Sequence, residues 1–148
     1  MTAYTFLLLN LAVCFYDVGT IWAHEIDIFR TWRLVSAEDF HTVQAVHWRK
    51  LPYWIFIPVG LALAGSIGLV AYHPAGSPQL GIWGNLTCQV LAMVLTGIFW
   101  APWQAKLSRD PAGPRSQYLE KILRTHWVRT LLINAAAVFV LGWTAVVH

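Results

Sequence analysis

Charge is scarce in this chain of 148 residues: 11% are Asp, Glu, Lys or Arg, and none of the ten Lys and Arg residues stands before Arg30, between Lys50 and Lys106, or after Arg129. So thin a supply excludes the profile of an ordinary soluble domain. It also excludes nucleic acid as a partner, because phosphate recognition needs a clustered basic surface, and here the cations are confined to two short connections. Cysteine is as scarce. Cys14 and Cys88 both fall within apolar runs, where small packing residues are the ordinary reading and a disulfide framework is not. No HxxH or HxxxH pair occurs, so a metal site would have to gather its ligands from separate segments. Tandem repeats and low-complexity tracts are missing too, and the first apolar run has neither a basic start nor a small-x-small cleavage pattern, so it reads as a retained helix rather than a signal peptide.

What the chain has is apolar surface. Hydrophobic residues make up 57% of it, with nine Trp. Four runs, about 3–23, 54–72, 82–103 and 128–147, each reach the roughly 20 residues that cross hydrocarbon as a helix. The predicted fold is therefore all-α: a single domain over 1–148, an integral membrane four-helix bundle with antiparallel spans. Arg30, Arg33, Arg49 and Lys50 lie between the first two runs, and Lys106, Arg109, Arg115, Lys121 and Arg124 between the last two. By the positive-inside rule both basic connections are cytoplasmic and both termini face the other side of the plasma (inner) membrane. Ser36 followed by Asp39 predicts a short helix along the cytoplasmic surface from about Ala37 to Lys50. Gly60, Ala64 and Gly68 predict a small-residue ridge for close helix packing, and Pro58 a bend.

Polar residues recur within the apolar runs. Asn10, Asp17 and His24 stand seven apart in the first, and Gln89, Thr96 and Trp103 in the third, so each set forms one helix face, expected to point into the bundle. Asp17 at that depth has to be protonated, paired or beside water. His24, Glu25, Asp27, His47, His126 and Arg129 converge at similar depth near the basic end and define a candidate polar site. A purely architectural account pairs Arg129 with Asp17 or Glu25 to tie the first span to the fourth. A metal account uses His24, His47, His126 and Glu25, and the dispersed spacing speaks against it. Trp22, Trp100, Trp103 and Trp127 fit either an interfacial belt or a wall for a flat apolar molecule.

Two stretches resemble the small four-helix membrane family named after anthrone oxygenases. One is Gly19-Thr20-Ile21-Trp22-Ala23-His24-Glu25-Ile26-Asp27-Ile28-Phe29-Arg30 with Phe40 and His47-Trp48-Arg49; the other is Phe99-Trp100-Ala101-Pro102-Trp103-Gln104-Ala105-Lys106-Leu107 with His126-Trp127-Val128-Arg129-Thr130. Thr125 stands where several members have Asn. The resemblance implies an oxygenase that turns the activated methylene of a polycyclic aromatic into a carbonyl with dioxygen, without metal or flavin. On that reading His24 or His126 is the catalytic base and Arg129 the partner of the anion, while Asp17, Trp22, His47, Trp100, Trp103 and Trp127 bind a lipophilic aromatic or quinone-like substrate. The competing expectation is a non-enzymatic accessory subunit that assembles with other membrane subunits or with its own copies. The topology is testable directly: a reporter active only outside the cytoplasm should be active when fused after His148 and silent when inserted between Arg109 and Arg115, and the reverse pattern would overturn the orientation.

Overall fold

The apolar runs grow into helices longer than themselves. In the computed structural model, which describes residues 1–148, these are α1 (Ala3–Leu34), α2 (Phe40–Ala71), α3 (Gln79–Leu107) and α4 (Gln117–Val147), of 29 to 32 residues each. All four are long and apolar enough to cross a membrane. Helix accounts for 86% of the chain and no strand is present. At about 1.5 Å per residue each helix exceeds the roughly 30 Å of hydrocarbon, so the excess projects as polar turns at the basic end. The expected surface helix is part of this excess. Ser36 Oγ accepts the Asp39 N–H at 3.0 Å, as anticipated, but 37–39 only turn. Helix begins at Phe40 and continues through Leu51 into the second apolar run, so the segment forms the first turns of α2 and is not a separate element.

Contacts define the two ends of the bundle. At one, the Tyr72 hydroxyl donates to the Met1 carbonyl at 2.8 Å and the Trp143 indole to Ser77 Oγ at 2.8 Å, over a core of Leu7, Leu69, Ile82, Val140 and Trp143. At the basic end, Phe29, Trp32, Phe40, Trp100, Leu107 and Leu119 form a second core, and Arg33 pairs with Glu120 across the α1 and α4 termini. The 108–116 connection is held by Asp110, which accepts from Ser116 Oγ at 2.6 Å and from the Ala112 N–H at 3.0 Å. These hydrogen bonds, the Ser116 hydroxyl first, hold the Asp110 carboxyl below its ordinary pKa, so their contribution is present above that value and lost in acid. Ser116 also caps α4 through the Tyr118 N–H at 3.1 Å.

The expected close-packing ridge of α2 holds at Gly68, where an added Cβ would come within 3.1 Å of the Phe6 ring, but its tightest point is Gly65 and not Gly60 or Ala64. Gly60 and Ala64 face outward, whereas Ala62, Gly65, Ser66 and Leu69 are buried. A Cβ on Gly65 would collide with the Asn10 side chain, and one on Gly60 would meet nothing. Asn85 and Asn10 both donate to Ser66 Oγ, at 2.8 and 3.4 Å, and Ser66 passes its own proton to the Ala62 carbonyl at 2.7 Å. Three helices are thus joined by a polar knot for which Gly65 leaves the room.

Regular α-helix is interrupted once in each of α1, α2 and α3. Wider π-turns cover His24–Ile28, Pro52–Phe56 and Thr96–Trp100. A π-turn shifts the N–H partner from the fourth to the fifth preceding residue and adds one residue to the face count. In α2 and α3 the cause is legible: Pro58 and Pro102 lack the N–H that would close a normal turn. Carbonyls left over are claimed elsewhere, Trp54 O by the Tyr16 hydroxyl at 3.3 Å and Glu25 O by Arg30 Nε at 3.0 Å. Helix α4 has no such break. Its buried positions Leu119, Ile122, His126, Thr130, Ile133, Ala137, Val140 and Thr144 follow one another by threes and fours, making it the straight post on which the others pack. The ridge gives a paired test. Gly60→Ala should be neutral or slightly stabilising through helix propensity, whereas Gly65→Ala should cost about 1–3 kcal/mol by overpacking. Equal thermal unfolding of the two variants in detergent would refute the assignment.

Candidate functional site

The π-turn of α1 turns Glu25 inward. Buried positions along α1 run Leu7, Asn10, Cys14, Asp17, Ile21 and His24, then jump five places to Phe29. In that gap the Glu25 carboxylate reaches α4 and meets His126 Nδ1 at 2.8 Å. On the other side of the ring, Arg129 Nη2 contacts His126 Nε2 at 2.5 Å. An acceptor on one nitrogen and a donor on the other fix His126 as the neutral tautomer with the proton on Nδ1. The guanidinium also reaches Thr96 Oγ1 at 3.5 Å and stacks over Trp100 at 5.4 Å. Trp100 is steadied in turn by Thr125, which accepts its indole N–H at 3.0 Å. Neither Asp17 nor Glu25 touches Arg129 directly, so the ion pair expected between the first and fourth spans is replaced by a relay, Glu25 to His126 to Arg129.

His24 is held differently. Its Nδ1 lies 2.8 Å from the Thr20 carbonyl, which can only accept, so Nδ1 carries the proton and Nε2 is left as a lone pair with no hydrogen-bond partner. The ring is boxed by aromatic neighbours: Phe29 and Trp54 at 5.2 Å and His47 at 5.5 Å. His24 lies 6.5 Å from His126. No group of three or more His, Cys, Asp or Glu side chains is arranged to hold a metal ion.

Beside His24 and Arg129 lies a cavity of about 220 Å³ between the helices, with mostly apolar walls. All four helices contribute to it: Asp17 and Thr20 from α1, Trp48 and Leu51 from α2, Gln89 and Gln104 from α3, and Arg129 from α4. Phe56 and Met93 line it and are also exposed on the outside of the bundle, so it opens sideways between α2 and α3. Its polar groups have unused capacity. Both Asp17 carboxyl oxygens, Trp48 Nε1, Gln104 Nε2 and Arg129 Nε are buried without a partner. Buried polar atoms are nearly always paired, and an apolar cavity lined by several residues with unpaired ones fits the make-up of a small-molecule site.

Of the residues singled out in the sequence, His24, Arg129 and Asp17 line this cavity. His126, Trp100 and His47 stand behind it: His126 and Trp100 hold Arg129, and His47 packs edge-on against Trp32 at 4.9 Å. Trp103 stacks on Phe99 at 5.7 Å and is not among the lining residues. Trp22 and Trp127 are exposed on the outside, Trp22 donating to Asn134 Oδ1 at 3.2 Å, in the manner of an interfacial belt. Trp48 and Gln104 line the cavity and were not singled out. Both belong to the stretches that carry the family resemblance, and the third-span stripe of Gln89 and Thr96 leads to Gln104 once the π-turn adds one residue.

Comparison with protein-family models, with curated proteins and with solved structures finds no match to this chain.

The relay has a measurable consequence. Glu25→Ala removes the carboxylate that balances the guanidinium and should cost about 3 kcal/mol, the low end for breaking a buried pair because His126 stands between the charges. Adding Arg129→Met should restore part of that loss. Additive losses in thermal unfolding would show that the two charges are not coupled.

Proposed function

We propose that this chain is a membrane-embedded oxygenase of the anthrone-oxygenase kind. Its four antiparallel spans would place both termini outside the plasma membrane and the site near the cytoplasmic face, acting on a flat lipophilic aromatic or quinone-like molecule. The observation that carries the reading is the pairing, in one apolar cavity, of an unpartnered imidazole nitrogen on His24 with an unpartnered guanidinium N–H on Arg129. His126 is a positioning residue, since both of its ring nitrogens are engaged.

In this reading His24 Nε2 takes a proton from the activated methylene of the substrate. The electron pair moves into the conjugated ring system, and the resulting enolate oxygen is held by Arg129 Nε–H, where low dielectric strengthens the interaction. Dioxygen, the second substrate, accepts electrons from the carbanionic carbon and forms a C–O bond. The proton on His24 returns to the peroxide, which eliminates water to leave the carbonyl. Methylene plus O₂ gives carbonyl plus H₂O, with atoms and electrons balanced.

Oxygen uptake by purified protein supplied with anthrone tests this. His24→Ala should lower turnover at least about a hundredfold, and His41→Ala, which alters a ring outside the cavity bound to the Ser108 carbonyl, should leave it unchanged. Full activity in His24→Ala sinks the proposed base. No uptake by the wild type with anthrone or a reduced quinol, together with stoichiometric co-purification of other membrane subunits, makes the chain an accessory subunit instead.

A further inference from the structure

Trp103 takes no part in the cavity, and its surroundings suggest another use. It is half-buried near the end of α3, stacked on the exposed Phe99 with ring centres 5.7 Å apart. Three residues further on, and so on the same helix face, Lys106 places its Nζ 5.6 Å from the centre of the Tyr118 ring on α4. Lys121, three residues past Tyr118, brings a second ammonium to 5.5 Å from the same centre. Two helices thus gather two exposed cations about one half-buried aromatic ring at the basic end of the bundle.

No carboxylate balances them. The four ion pairs of the chain leave out both lysines. Glu120, next to Lys121 in sequence, is divided between Arg33 and Arg124, and Asp110, close after Lys106, accepts from Ser116 Oγ and the Ala112 N–H. The face of the Tyr118 ring attracts each ammonium but cancels neither charge, and like charges drawn to one place repel. An anion shared between them removes that cost. Depth along α3 describes the rest of the ligand: at 1.5 Å per residue Trp103 lies about 4.5 Å, and Phe99 about 10 Å, further into the apolar span than Lys106. Cations at the rim of an aromatic strip that runs into the span match a molecule with an anionic head and a hydrocarbon body.

We propose that the outer face where the ends of α3 and α4 meet holds an anionic phospholipid, its headgroup phosphate between Lys106 and Lys121 and an acyl chain along Trp103 and Phe99. A free phosphate would engage the lysines and leave the aromatic strip without a partner, so the lipid is the better match. This face is separate from the cavity, which opens between α2 and α3, and the proposal does not rest on the oxygenase reading.

Native mass spectrometry of the detergent-solubilised chain tests it, with phosphatidylglycerol and zwitterionic phosphatidylcholine of the same acyl chains as probes. The first phosphatidylglycerol should bind at least about tenfold tighter than phosphatidylcholine. Lys106→Gln and Lys121→Gln should each weaken it about fivefold, the worth of one lysine at an anionic surface, and together should bring the two lipids within about twofold. Lys50→Gln removes an equally exposed cation on α2 and should leave the preference unchanged. Equal affinity of the wild type for both lipids overturns the proposal; so does a loss in Lys50→Gln as large as in the lysine pair, because charge at the basic end then acts diffusely and not through a site. Calorimetric titration with inorganic phosphate is the last arm: no saturable heat is expected, and saturable heat that disappears in the double variant assigns the lysines to a soluble phosphate ion and overturns the lipid.

Discussion

A guanidinium inside an apolar bundle is the constraint around which this fold is arranged. A charged residue at the middle of a membrane helix costs roughly 2.5–3.5 kcal/mol on insertion scales, and α4 carries Arg129 inside its apolar stretch with its Nε buried. Three kinds of partner reduce that cost, and they come from other helices or from the next turn of its own. Glu25 on α1 balances the charge through His126, Thr96 on α3 accepts at longer range, and the Trp100 ring on α3 presents its negative face. The arrangement ties α1 and α3 to the unbroken α4 at one level. It leaves α2 without a stake in the charge, and the cavity opens along α2.

The π-turn of α1 serves the same demand, while those of α2 and α3 sit where Pro58 and Pro102 interrupt the hydrogen-bond ladder. Without one, α1 would repeat its inward face from His24 to Thr31; instead Trp32 is buried and Thr31 exposed, a shift of one residue. In α3 the stripe passes from Gln89 and Thr96 to Gln104 rather than Trp103, again a shift of one. In α2 the inward series runs Gln44, Leu51, Val59 and Ser66, with the eight-residue step spanning Pro52–Phe56. Three helices therefore make the same one-residue correction next to the charged relay. The widened turns free the carbonyls of Glu25 and Trp54 for side-chain donors and let Glu25 reach His126, which a continuous α-helix with Asp27 or Ile28 on its inner face would not do.

This explains which parts of the molecule were legible in the sequence. Hydropathy marks four helices because hydrocarbon thickness sets their length, and the sevenfold spacing of Asn10, Asp17 and His24 marks an inward face because periodicity survives as long as the helix stays regular. All three are buried. Arg129 was conspicuous as the one cation within a span. Legibility stops at the π-turn of α1: nothing local in His24–Ile28 announces the wider turn, and its partner His126 is distant in sequence, so Glu25 falls in the right region of the sequence but its place in the relay does not show there. The glycine ridge was legible at Gly68, which packs against Phe6, but not at Gly60 and Ala64, for a related reason. Gly60, Ala64 and Gly68 have the right spacing, yet the face α2 presents is chosen by where Asn10 and Asn85 need Ser66, and that selects Gly65. The tryptophans divided by partner rather than by position: Trp100 is held inward by Arg129 and Thr125, while Trp22 and Trp127 find nothing inside that outweighs the interface.

The two halves of the bundle differ in what surrounds their polar groups: a closed core toward the termini, a cavity toward the basic end. Toward the termini, Asn10 and Asn85 both donate to Ser66 Oγ and Ser66 donates to the Ala62 carbonyl, the two Asn Oδ1 atoms stay unpaired, glycine yields space, and the core closes over them with Leu7, Leu69 and Trp143. Toward the basic end the same helices keep Asp17, Trp48, Gln104 and part of Arg129 unpaired around open volume. Packing for stability alone would fill such a space with aliphatic side chains, as it does a few turns away, and would not line it with residues whose buried polar atoms are unpaired. Unpaired groups beside a cavity are the feature on which the proposed site rests, since local rules commonly fail where function imposes a cost. On the function proposed above, the sideways opening between α2 and α3 would be the ligand's route, and a molecule that takes it through lipid has to be apolar over most of its surface.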